Sequence, residues 1–127
     1  MGFAFPNMYQ KPNIIRPAII LGILWSLWHL PVIDFLGAAS PHREYLVAFF
    51  FAFMFIMTAM RLLIVWVYSK TGSILIAQLM HVISTGSLVV FGPPKVSPAQ
   101  ETMWYALYGG VLWIVVLLIV WYGSQKE

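Results

Sequence analysis

Apolar residues run along this chain in four long blocks, and the charged residues fall between them. Residues 17–33 carry no Asp, Glu, Lys or Arg, with Arg16 and Asp34 as their bounds. Residues 45–68 hold one charge, Arg61, and residues 71–94 and 102–125 hold none. A helix needs about 20 apolar residues to cross ~30 Å of hydrocarbon, and each block approaches or exceeds that length. Within a bilayer the backbone must satisfy its own hydrogen bonds, which leaves helices or closed barrels. Barrel strands alternate apolar and polar side chains over about ten residues; the run Leu46-Val47-Ala48-Phe49-Phe50-Phe51-Ala52-Phe53 does not. The pattern therefore predicts an all-α, polytopic membrane protein. Its bundle of about four transmembrane helices covers roughly residues 16–37, 45–68, 71–91 and 102–122. The connections are short: residues 40–44, Ser69-Lys70, and residues 92–98, where Pro93, Pro94 and Pro98 forbid helix continuation. No repeat or change of composition divides residues 1–127, which read as a single membrane domain.

Composition sharpens this. Charged residues make up 9% of the chain, against roughly 25% in a typical soluble domain. A water-soluble fold of this size has a high surface-to-volume ratio and needs polar cover that seven Lys/Arg and four Asp/Glu do not provide. Disorder is excluded by the 17% aromatic content. The net charge of +3 is spread over loops and does not form the clustered basic face that nucleic-acid binding needs. The chain has no cysteine, which removes disulfides, thiolate metal sites and thiol nucleophiles together.

Loop charges also suggest an orientation. With four spans, Lys11, Arg16, Lys70 and Lys126 share a side, against Arg43 and Lys95 on the other. The positive-inside rule then puts both termini in the cytoplasm, with Arg61 snorkelling toward the Lys70 end. Residues 1–10 begin apolar and lack the basic start of a signal peptide. They read as a loop or interfacial segment of something upstream.

The chemistry lies in polar groups inside the spans, where ionisable residues are costly and face the bundle interior. His29 and His81 are the two intramembrane histidines. His29 lies roughly 20 Å past Arg16 and His81 roughly 16 Å past Lys70 at the helical rise, so the rings come within about one turn of each other in depth. Gly22, Ser26 and His29 form one small-polar stripe, and Gln78, His81, Ser84 and Thr85 gather on one face of the third span. Such stripes let helices approach closely and bond across, so the first and third spans are expected to face each other. Two imidazoles are part of a metal site, histidine being the commonest ligand. Catalytic zinc sites use three protein ligands, and no third is evident. Each histidine could equally bond a neighbouring helix. His42, in a Pro-His-Arg-Glu loop, is expected to be solvated. Asp34, Glu44 and Glu101 are expected at span ends.

Two of these stretches carry a family likeness. Leu24-Trp25-Ser26-Leu27-Trp28-His29-Leu30-Pro31 resembles the second motif of the CPBP family, Phe-x-x-x-His, with Trp25 in the Phe place. That family comprises intramembrane metalloproteases, including type II CAAX prenyl endopeptidases, and bacteriocin-processing or immunity proteins. His81-Val82-Ile83-Ser84-Thr85 and its lead-in from Val65 resemble the later His-x-x-x-Asn motif, with Thr85 replacing the amide. The opening Gly2-Phe3-Ala4-Phe5-Pro6 looks like the segment that follows the family's first motif, Glu-Glu-x-x-x-Arg. Met1 falls where that Arg or a neighbour would stand, and neither glutamate is in the chain.

The resemblance implies an intramembrane metallo-endopeptidase acting on hydrophobic or prenylated peptides, in a bacterial cell membrane and in contact with lipid. His29, His81 and Thr85 would be its catalytic residues, and His29 and His81 would hold a divalent metal such as zinc. In the family a glutamate of the first motif acts as general base, and no Asp or Glu here takes over that role. The chain is thus expected to be a truncated C-terminal portion with little peptidase activity alone. The alternative is a non-catalytic membrane protein on the same scaffold, in bacteriocin self-immunity or hydrophobic-peptide binding. A small channel or transporter is a third reading. The sequence assigns no oligomeric state.

Overall fold

The computed structural model describes residues 14–92 and 94–124. Those residues form α1 (Ile15–Trp28), a 3₁₀ helix (Leu30–Phe35), a short 3₁₀ turn (Arg43–Tyr45), α2 (Leu46–Thr71), α3 (Ile74–Phe91) and α4 (Pro98–Ser124). No strand occurs among them. Three segments, Arg43–Thr71, Ile74–Phe91 and Pro98–Gly123, are long and apolar enough to cross a membrane, and Ile15–Trp28 is a shorter apolar helix. This is an all-α integral membrane bundle. The Gly2-Phe3-Ala4-Phe5-Pro6 segment and the charges Lys11 and Lys126 lie outside the described residues.

Element ends depart from the sequence reading for local reasons. The first helix does not continue to 37; it stops at Trp28 and tightens to 3₁₀. Pro31 has no N–H, and its ring would strike the carbonyl four residues back, so an α-helix cannot run through it. The last helix begins at Pro98, four residues earlier than the charge pattern suggested. Ser97 Oγ accepts from the Gln100 N–H (3.3 Å) and Gln100 Oε1 accepts from the Ser97 N–H (3.0 Å). That reciprocal pair is a capping box, and proline is well suited to the first helical position that follows.

α2 is the centre of the bundle. α1, α3 and α4 each pack on it, and neither α1 nor α4 approaches the α3 backbone. Buried Phe49, Phe53, Ile56 and Met57 fill one end of its length; Ala59, Leu62, Leu63 and Val65 fill the other. Lipid competes for apolar surface, so close van der Waals fit holds such helices together. A Cβ on Gly22 would sit 2.8 Å from Thr58 Cα, so glycine is what lets α1 lie directly on α2. Fully buried Ser26 turns its hydroxyl back to the Gly22 carbonyl at 2.9 Å. The small-polar stripe of α1 therefore seats it on α2; the expected direct pairing of the first and third spans does not occur.

Candidate functional site

His29 stands at the junction that Pro31 creates. Its backbone N–H bonds the Ser26 carbonyl at 3.0 Å, as in a tightened turn. The Trp25 carbonyl, left without its usual helical partner, accepts from the His29 ring at Nδ1, 2.8 Å away. A carbonyl only accepts, so Nδ1 carries a proton, and in the neutral ring Nε2 keeps its lone pair, without a partner among the described residues. The end of the helix thus sets the tautomer of the ring.

His81 comes from the third turn of α3 and reaches the same place by a different route. Its ring lies 4.7 Å from the Trp25 indole, centre to centre, and the His29 ring lies 6.3 Å from that indole. Phe53 of α2 backs the His29 ring at 5.2 Å. The side chains converge although the α1 and α3 backbones do not. Trp25, His29, Phe53, His81, Thr85 and Glu101 all line one cavity of about 660 Å³, a size suited to a small ligand. Thr85 is solvent- or lipid-exposed on α3, and Ser84 turns its hydroxyl to the His81 carbonyl at 2.8 Å. A second cavity of about 180 Å³ is lined by Trp25, Arg61, Ile64, Ala77, Gln78 and His81. Arg61 does not snorkel toward the Lys70 end. Its guanidinium carbon lies 4.4 Å over the Trp25 indole, inside the bundle.

Among the described residues no group of three His, Cys, Asp or Glu comes together to hold a metal ion. His29 and His81 are two donors where a catalytic zinc takes three protein ligands. The described residues alone do not fit such a site.

Two acidic residues and a histidine form a separate cluster that the sequence did not reveal. His42, expected in water, is fully buried. Its ring stacks on Phe49 at 3.8 Å, its Nε2 lies 3.1 Å from Glu101 Oε2, and its Nδ1 lies 3.4 Å from Asp34 Oδ1. Glu101 is 4% exposed and also accepts from the Ala38 N–H (2.7 Å) and the Ala39 N–H (2.9 Å). Asp34 accepts from the His42 N–H at 2.8 Å. Gly37 has φ +85°, and a Cβ there would collide with the Glu101 carboxylate, so the loop needs glycine on both counts. The cluster ties the 3₁₀ segment and the following loop to the start of α4. Glu101 reaches the wall of the large cavity, but its oxygens already hold three donors.

Two motif histidines on different helices thus line one cavity against a shared tryptophan. A family model described as type II CAAX prenyl endopeptidase Rce1-like matches residues 1–87. The chain belongs to this family. A CAAX prenyl protease 2 from Methanococcus maripaludis is 26% identical over 127 residues, covering 98% of this chain and 44% of its own length. The chain thus spans less than half the length of that curated relative. No solved structure gives a significant match. The matched residues include Trp25, His29, Arg61, His81 and Thr85. Glu101 and all of α4 lie beyond them, so the carboxylate on the cavity wall is not part of the family match.

Proposed function

We propose that this chain supplies the histidine-bearing part of an intramembrane endopeptidase that acts on hydrophobic, prenylated peptides. The observation that carries the reading is the convergence of His29 and His81 on one cavity of about 660 Å³, with Nε2 of His29 unpartnered among the described residues. Peptide hydrolysis needs a nucleophilic water, an acceptor for its proton and a donor for the developing oxyanion. His29 Nε2 accepts a hydrogen bond from the water, the His81 ring confines it from the α3 side, and the Thr85 hydroxyl donates to the substrate carbonyl. A divalent metal, where bound, would lower the pKa of that water and polarise the carbonyl. The two imidazoles are an incomplete set for zinc, so the chain's own groups hold the water directly in this reading.

An anionic base is the weak point. Glu101 is the carboxylate on the cavity wall, and Ala38, Ala39 and His42 hold it as an acceptor already engaged. Losing general-base catalysis typically costs ~10²–10⁴-fold in rate, so the chain alone should show little or no peptidase activity. That same observation favours the second reading, a non-catalytic membrane protein that binds a hydrophobic peptide, as in bacteriocin self-immunity. Both readings place the termini on the cytoplasmic side of a bacterial cell membrane, on the Lys/Arg bias of the loops.

Binding tests what the two readings share, and turnover separates them. A fluorescent farnesylated peptide titrated into the purified chain in zwitterionic detergent should bind saturably, and Thr85→Trp, which fills the cavity, should abolish binding. Equal binding by wild type and Thr85→Trp would refute the site. Robust cleavage by the chain alone would refute the expectation of weak activity and rule out the non-catalytic reading.

A further inference from the structure

The Arg61 cavity has no role in this account so far, and its chemistry is specific. Arg61 lies ten residues before the end of α2 at Thr71, deep within a span. An ionised side chain at such depth is costly and belongs with a partner or a function. Among the described residues it forms no hydrogen bond or ion pair. Its Nε is buried without a partner. Its one contact of note is the Trp25 indole, 4.4 Å below the guanidinium carbon. An aromatic face attracts a cation but supplies no acceptor for the five N–H donors of an arginine. Gln78 and His81 complete the polar wall; Asp34 and Glu101 are engaged at the other cluster, and Glu44 is exposed in the Arg43–Tyr45 turn. The cavity, about 180 Å³, is cationic and polar, and no carboxylate lines it among the described residues.

Its position says which anion. Trp25 and His81 line both cavities, so the Arg61 site adjoins the histidine site across those two side chains. Arg61 lies eleven residues before Gly72, and His81 nine after it. Across a tight turn this puts them at nearly the same depth, about 3 Å apart along the axis. Both sit against one indole, at 4.4 Å and 4.7 Å. We propose that Arg61 binds the C-terminal α-carboxylate of the peptide substrate and so fixes which bond meets the histidines. The proposal rests on the endopeptidase reading above. A CAAX sequence ends three residues after its prenylated cysteine. For cleavage on the carboxyl side of that cysteine, the three departing residues span at most about 10 Å when extended. That reach joins a carbonyl at the histidines to a carboxylate at Arg61. A guanidinium forks onto a carboxylate through two parallel hydrogen bonds, and here it would do so out of bulk water. The prenyl group and the upstream peptide would then occupy the larger, more apolar cavity.

The test is the affinity of the purified full chain, in zwitterionic micelles, for two labelled farnesylated CAAX peptides. One ends in a free carboxylate and the other in an amide. Wild type should favour the carboxylate by about tenfold, as a charge-assisted pair implies. Arg61→Gln should bring the ratio to about one, Arg61→Lys should keep part of it, and Lys70→Gln should keep all of it. Equal affinity of wild type for both peptides would overturn the Arg61 assignment and leave the endopeptidase reading standing. If wild type binds neither peptide, the endopeptidase reading fails and the assignment with it. A preference that disappears when phosphatidylglycerol is added to the micelles would make Arg61 a lipid-headgroup site and also overturn the assignment. Should Arg61→Gln not fold, the wild-type ratio and Arg61→Lys still decide.

Discussion

The protein contains two histidine environments whose contrast separates framework from function. At His42 both ring nitrogens face carboxylate oxygens, the ring stacks on Phe49, and no surface is left exposed. Most of the strong groups there are matched: Glu101 holds three donors and Asp34 holds the His42 amide, while His42 Nδ1 faces Asp34 Oδ1 at 3.4 Å without a hydrogen bond. At His29 and His81 the rings lie against Trp25 and Phe53, and of their four nitrogens one has a hydrogen bond among the described residues. The first arrangement locks a loop to a helix end. The second leaves lone pairs facing a cavity, which is what a binding or catalytic site needs. Residue type alone does not distinguish them; the accounting of donors and acceptors does.

Substitutions at the two sites should therefore diverge. The largest effect on stability is expected from Glu101→Ala. It leaves two backbone N–H groups and a buried imidazole without their acceptor, and breaking such a buried pair costs about 3–5 kcal/mol. Thermal unfolding in detergent, followed by tryptophan fluorescence, should show a clear loss; an unchanged midpoint would dissolve the contrast from the framework side. Gly37→Ala comes next, at about 1–3 kcal/mol, because alanine is strained at φ +85° and its methyl would press on Glu101. The smallest stability effects belong to His29→Ala and His81→Ala, at about 1 kcal/mol or less. Both should nevertheless weaken binding of the farnesylated peptide in the same titration. If either variant unfolded as readily as Glu101→Ala, the open site would be structural after all.

How much of this could be read from the sequence depended on the range of the interactions. The apolar blocks around α2, α3 and α4 were legible because charges bound them and a bilayer admits few backbone solutions. Pro31 was in plain view, yet its consequence, a helix ending at Trp28 and a fixed tautomer at His29, needed the local hydrogen bonds. Ser97-Pro98-Ala99-Gln100 carried a capping-box signature that would have started α4 at the right residue. The motif histidines were legible because matched depth follows from counting residues. The His42 cluster was not, since Glu101 is 59 residues away and a polar loop looks solvated until its partners are known. Arg61 was misjudged for a similar reason. Whether a long side chain snorkels or turns inward depends on where Trp25 sits, and that is set by the packing of α1 on α2.

The most direct test of the central claim uses the chain's lack of cysteine. Single variants His29→Cys, His81→Cys and His42→Cys are exposed to a small water-soluble thiol reagent, with and without saturating farnesylated peptide. The account predicts labelling at 29 and 81, protection of both by the peptide, and no labelling at 42. Labelling at 42 with none at 29 or 81, or protection of one motif position without the other, would contradict a shared cavity between the two histidines.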